Sequence, residues 1–195
     1  MKKVLMLLAL VLVISGCSIQ PTQYDLSASG DFTAIEKKQD IPKMELVDFK
    51  YEPHIKISQN TTSGLGCVVC QSDGSTAGIV YTTPINEIVK AEIEKALKEV
   101  TTPTALSSCQ LGATIHTAAW NVLDGEKTLD MTFMLMKEDQ IKFIKRVRGT
   151  YYGGIFGRTN FNRIFVNASR NAVSLLVTDN DFLNEIDKSC TVSSL

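Results

Sequence analysis

The chain has 195 residues, of which 44% are apolar, with 20 Lys and Arg set against 21 Asp and Glu. That balance excludes a highly charged disordered chain. With no basic excess and no Lys/Arg run, it also argues against any nucleic-acid partner.

Lys2 and Lys3 precede Val4 to Ile14, eleven residues without a charged or polar side chain. The run is too short to span about 30 Å of hydrocarbon, which takes about 20 residues. It suits the apolar core of a secretion signal. The run ends Ile14-Ser15-Gly16-Cys17, which resembles the lipobox of bacterial lipoproteins. The resemblance implies that residues 1–16 are a signal peptide and that Cys17, freed as the new N-terminus, carries acyl chains such as palmitate. It also implies that the lipid bilayer is the first partner, through acylated Cys17. One myristoyl chain binds membranes only marginally, at about 0.8 kcal/mol per buried CH₂, whereas lipoproteins of this kind carry two or three chains. In similar Gram-negative lipoproteins an Asp after the cysteine retains the protein at the inner membrane. Ser18 stands there instead, which implies an outer-membrane anchor with the domain facing the periplasm.

Cleavage leaves 195 − 16 = 179 residues with 20 − 2 = 18 basic and 21 acidic side chains, a net charge of −3. That length suits one domain that buries about 70% of its unfolded surface. Residues 17–43 are rich in Ser, Gln, Thr, Pro and charge and read as the lipidated N-terminus and a flexible tether. Tyr24 and Leu26 offer a short segment able to dock. Residues 44–195 are expected to form a single α+β domain.

Within that domain Val47, Phe49 and Tyr51 alternate, Pro53 interrupts, and Ile55 and Ile57 alternate again, predicting one bent strand or two short ones. Residues 58–78 are Ser-, Thr- and Gly-rich and hold Cys67 and Cys70. Thr83 and Pro84 suit the start of a helix. Ile85, Ile88, Val89, Ile93, Ala96, Leu97 and Val100 then form a stripe of period 3.6, with Glu92, Glu94, Lys95, Lys98 and Glu99 assigned to the polar side. Pro103 is expected to end this helix. Three strands should follow. Leu111, Ala113, Ile115 and Thr117 alternate with Gly112, Thr114, His116 and Ala118, then Asp124-Gly125 signals a hairpin. Leu129, Met131, Phe133 and Leu135 alternate with Asp130, Thr132, Met134 and Met136. Lys137 to Gln140 turn the chain into Ile141, Phe143 and Val147.

A second helix is predicted by Phe161, Ile164, Phe165, Ala168, Ala172, Leu175 and Leu176, with Asn167, Ser169, Arg170 and Asn171 on its polar side. A short helical segment over residues 181–188 closes the chain. The order β-β-α-β-β-β-α predicts a two-layer sandwich, with a mainly antiparallel sheet and two amphipathic helices on one face. Together with the lipobox, this order resembles YajG-type lipoproteins, auxiliary lipoproteins of ABC lipid transporters, and the small lipoprotein of the lipopolysaccharide exporter. The resemblance implies an accessory or scaffold role without catalysis.

Besides Cys17 there are four cysteines, Cys67, Cys70, Cys109 and Cys190, an even number that reads as two disulfides in an oxidising compartment. Of three pairings, Cys67–Cys70 with Cys109–Cys190 is preferred, because the near pair has the highest effective concentration. A thiol–disulfide oxidoreductase using Cys67 and Cys70 is the alternative from another class. Its flanks, Ser63-Gly64-Leu65-Gly66 and Gln71-Ser72-Asp73-Gly74, do not start the helix whose dipole would activate the first thiol. A zinc site would need Cys109, Cys190 or a histidine to complete it.

His54 and His116, both in predicted strands, show no triad pattern. Met131, Met134 and Met136 read as packing residues. Gly149 to Gly157 carries four glycines with Tyr151, Tyr152, Ile155 and Phe156. It reads as a turn with aromatic plugs, or as a contact loop for an envelope protein partner. No cofactor, metal site or catalytic residue is expected, and no small-molecule ligand is identified. The leading expectation is an anchored, non-enzymatic binding or accessory subunit, with a lipid-transport accessory role as a further reading.

Overall fold

A computed structural model describes residues 23–27, 32–53, 81–120, 126–152, 163–190 and 192–194. Among these residues five strands and three helices follow one another: β1 Ile41–Tyr51, α1 Ile85–Lys98, β2 Thr101–Trp120, β3 Glu126–Lys137, β4 Gln140–Tyr152, α2 Val166–Val177, α3 Asn180–Ser189 and β5 Val192–Ser194. The sheet order is β1-β2-β3-β4, with β5 paired to β2 at Ala105–Ser107. The fold is the expected α+β sandwich. Two features refine it. The sheet is mixed, because β1 pairs parallel to β2 across the α1 crossover. The helical layer also has a third member, α3, in the segment expected to be helical. The predicted second strand around Ile55, the Asp124-Gly125 turn and Phe161 lie outside the described residues.

The alternation of β3 decides which face is covered. Leu129, Met131, Phe133 and Leu135 are fully buried beneath the helices. Asp130, Thr132, Met134 and Met136 point to the open face and are partly exposed. β4 is the antiparallel neighbour of β3. The turn between them places Glu138 and Asp139 at φ 51° and 60°. Two consecutive positive φ values match a hairpin turn to the right-handed twist of its strands.

β2 departs from simple alternation. Its register with β3 shifts between Ile115 and Thr117. Beyond the bulge Thr117 pairs with Asp130 on the open face, and Ala118, expected outward, is buried opposite Leu129. One inserted residue exchanges the two faces, because the side-chain period is two. β2 also begins ten residues earlier than its alternation suggested. Pro103 lies inside it, in a stretch where the register with β1 slips between Pro42 and Lys43. A bulge tolerates a residue without an N–H.

The α1 stripe is buried as expected, from Ile85 through Val100. In α2, Ala168, Ala172 and Leu176 are buried while Leu175 is exposed, its expected place being taken by Val173. α3 is capped by the Asp179 carboxylate, which accepts from the Phe182 backbone N–H at 2.9 Å, and it buries Phe182, Leu183 and Ile186.

Part of the N-terminal stretch expected as tether is docked, as allowed for Tyr24, while Leu26 is exposed. Tyr24 is buried, edge-on to Tyr81 and stacked near Phe165 with centroids 5.4 and 6.2 Å away. Its hydroxyl accepts from the Phe165 backbone N–H. Farther on, the Ser174 hydroxyl bonds both the N–H and the C=O of Glu36, at 3.0 and 3.1 Å. Thr33 donates to the Asn167 side chain at 3.0 Å, and Arg170 donates to the Thr33 carbonyl at 2.6 Å. Residues 32–40 therefore lie along α2, ahead of β1.

Candidate functional site

Among the described residues β1 is an edge strand, and its path is irregular. Its register with β2 shifts three times, and Asp48 adopts φ 48°. Bulges and charged side chains, here Lys43, Glu45, Asp48 and Lys50, blunt an edge against pairing with another strand. The same irregularity opens a groove of about 300 Å³ between β1 and α1. Met44, Leu46 and Leu97 supply apolar lining, and Lys43, Glu45, Lys90, Glu94 and Lys98 are its charged residues. Glu94 is paired with Lys98 at 3.0 Å. Glu45 accepts a hydrogen bond from the Gln110 amide at 2.9 Å. Lys43 on the strand and Lys90 on the helix make no ion pair or hydrogen bond among the described residues.

On the opposite flank of α1 lies a polar cluster beneath the N-terminal segment. Arg170 is buried, forks onto the Glu99 carboxylate and stacks over the Phe32 ring, 5.3 Å from its centroid. Arg163 lies over the same ring at 5.2 Å. The Arg170 guanidinium holds the Glu99 carboxyl below its usual range. Glu92, expected on the polar side of α1, is only 3% exposed. Burial raises its pKa, against the opposing pull of Lys95 above all and then of Arg163 and Arg170.

The sign of that shift gives a test. A carboxyl whose folded pKa is raised binds more protons folded than unfolded, so its contribution to stability falls as pH rises from about 4.3, its unfolded value, through the folded value. The stability of wild type minus that of Glu92→Gln should therefore decrease between pH 4 and pH 7. Thermal melts of the two proteins in parallel check this, and a difference that grows with pH refutes it.

The other predicted residues are dispersed. Cys109 and Cys190 form a disulfide with Cα atoms 5.3 Å apart, joining β2 to the end of α3. Tyr151 has the Lys127 ammonium 5.8 Å from its ring centroid, and Tyr152 is exposed at the end of β4. Lys127 is itself buried, which lowers its pKa. His116 bonds Thr132 through Nε2 at 2.8 Å on the open face. Met131 is in the core, while Met134 and Met136 line the open face. Cys17, His54, Cys67, Cys70, Ile155 and Phe156 lie outside the described residues. The groove carries no sequence signal, because Met44 and Leu46 meet Leu97 only through the parallel crossover.

No family model matches the chain, and no curated protein matches it. Among solved structures, protein XCC0632 from Xanthomonas campestris, a Gram-negative DUF330 protein, is similar at 8% identity. The match covers 81% of this chain and 94% of that one, with a TM-score of 0.47.

Proposed function

We propose that this chain is a lipoprotein anchored through Cys17 to the outer membrane, with its domain facing the periplasm. There it serves as a non-enzymatic binding or accessory subunit for another envelope component. The observation that carries this reading is the groove between α1 and β1, lined by Met44, Leu46 and Leu97. Ligand sites are typically concave, mostly apolar and furnished with a few polar groups, in volumes from about 300 Å³ upward. Many polar side chains elsewhere are occupied in holding elements together. Arg146 forks onto Asp130 at 2.9 and 2.7 Å, Lys145 reaches Asp179 at 2.6 Å, and Lys137 donates to the Ser189 carbonyl at 2.9 Å. They read as fastenings within a binding scaffold.

The docked Tyr24 supports an accessory role close to the membrane. Cys17 and Tyr24 are seven residues apart, and the backbone covers at most about 3.6 Å per residue, or about 25 Å in all. A free tether to residue 43 would reach more than three times as far. The test is lipidation with fractionation. Wild type should take up radiolabelled palmitate and sediment with outer membranes, whereas Cys17→Ala should do neither and should persist as an uncut precursor. Wild-type protein without label refutes the anchor.

A further inference from the structure

We infer that the outer edge of β4, from Ile144 to Arg148, receives an extended acidic segment of another envelope protein, which joins the sheet as an antiparallel strand. This partner specifies the proposed binding role, on which the inference rests.

Among the described residues β4 ends the sheet on the side away from β1. The two edges differ. β1 slips register three times, whereas β4 pairs with β3 without interruption from Phe143 to Tyr152. A regular edge is a template for one more strand unless something caps or blunts it. One hydrogen bond fixes where its backbone groups point. The Thr150 N–H donates to the Asn171 side chain at 2.9 Å, so it faces away from β3. Along a strand, alternate residues direct their N–H and C=O to opposite sides. Ile144 and Arg148 therefore turn theirs off the same edge as Thr150, and no backbone bond beyond the sheet ladder satisfies them among the described residues. Asn171 closes the edge at Thr150, and the register shift beside Lys142 ends the regular stretch on the other side.

The side chains select the occupant. β4 carries Lys142, Lys145, Arg146 and Arg148 and no acidic residue. Ile144, Arg146 and Arg148 share the open face with their β3 partners Met134, Thr132 and Asp130. Asp130 is engaged by Arg146 through two hydrogen bonds, at 2.9 and 2.7 Å, and Arg148 forms no ion pair among the described residues. Charge of a single sign rejects some strands and admits others. A second copy paired antiparallel about residue 145, 146 or 147 would set Lys145 against Lys145, Arg146 against Arg146, or Arg146 against Arg148. Like charges directly opposite destabilise a strand pair, and opposite charges stabilise it. An acidic side chain opposite Arg148 meets that demand, and an apolar one four residues later would cover Ile144, which is 58% exposed. In strand addition of this kind the main chain supplies affinity and the alternate side chains supply specificity.

The probe is the end-capped peptide Thr-Glu-Thr-Thr-Thr-Ile-Thr, titrated into isotope-labelled full-length protein in detergent micelles and followed by amide NMR. The Ile144 and Arg148 amide protons should exchange freely with solvent in the protein alone and become protected as the peptide saturates. Replacing the peptide's Glu by Lys should weaken binding about tenfold, because an opposite-charge pair becomes a like-charge pair. Arg148→Glu should reverse that preference, with its fold checked by circular dichroism. N-methylation of the peptide tests the backbone without altering the protein. A methyl on the Glu amide, which faces β4, should abolish the protection, whereas one on the following Thr amide, which faces away, should not. No protection, protection elsewhere, equal binding of the Glu and Lys peptides, or Ile144 and Arg148 amides already protected in the protein alone would overturn the inference. Mass spectrometry of the same preparation scores the acyl chains on Cys17, so failure of strand addition and failure of the anchor are told apart.

Discussion

Replacing Cys109 and Cys190 together by Ala should lower the stability of the domain by about 4 kcal/mol, through the loss of a constraint on the unfolded chain. The two residues are 81 positions apart, and the chain-entropy relation gives roughly 4.5 kcal/mol for a loop of that length, against a usual range of about 2–5 for native bridges in secreted domains. Both side chains are buried, so the alanines also lose some packing. The local consequence is at the C-terminus. β5 has only three residues, paired to Ala105–Ser107, and the bridge is what holds α3 and β5 to β2 covalently. For a domain of about 150 residues, a loss near 4 kcal/mol lowers the melting temperature by about 10–15 °C. Urea titration with parallel thermal melts measures both values. A loss below about 1 kcal/mol would show that the bridge adds little to the packing around it.

Gly149→Ala should cost about 3 kcal/mol, the upper end of the usual overpacking range. Gly149 lies on the covered face of β4, paired with Leu129, where α2 crosses directly over it. A Cβ there would meet the Ala168 carbonyl oxygen far inside contact distance, and both the Cβ and the backbone N of Ala172 at 2.9 Å. Those are atoms of a helix backbone and its shortest side chain, so none can swing aside. Gly112→Ala is the control. Its Cβ would meet the flexible end of Met136 at 2.9 Å and the Val47 carbonyl at 3.1 Å, so the cost should be about 1 kcal/mol. Chemical denaturation of the two variants should rank them in that order, and equal losses would refute a close α2–β4 approach at Gly149.

Legibility in the sequence followed how far each pattern depends on its own neighbours. β3 and the stripe of α1 are legible, because their periods of 2 and 3.6 are set by local geometry. The turn at Glu138 and Asp139 is legible from its position between two strands, although neither residue is the Asn or Gly that positive φ favours. Alternation alone puts Ala118 on the open face, because a bulge at His116 leaves no mark in an alternating string. The chemistry of Glu92, Ser169 and Arg170 points to solvent, yet all three are buried. The segment containing Tyr24 and residues 32–40 supplies the cover and the partners for that side of the helices. Its composition reads as a tether, and only the places where it lands distinguish it from one.

The sequence by itself determined the α+β class, the faces of β3, the apolar stripe of α1 and, through Ile14-Ser15-Gly16-Cys17, the expectation of a lipid anchor. Each is written in residues close together in the chain. Only the tertiary structure decided that β1 runs parallel to β2, that the N-terminal segment docks on the helices, and that Cys109 pairs with Cys190. Those features join residues tens of positions apart. Their free energy comes from surfaces that meet only after the chain has closed those loops, so no local period encodes them.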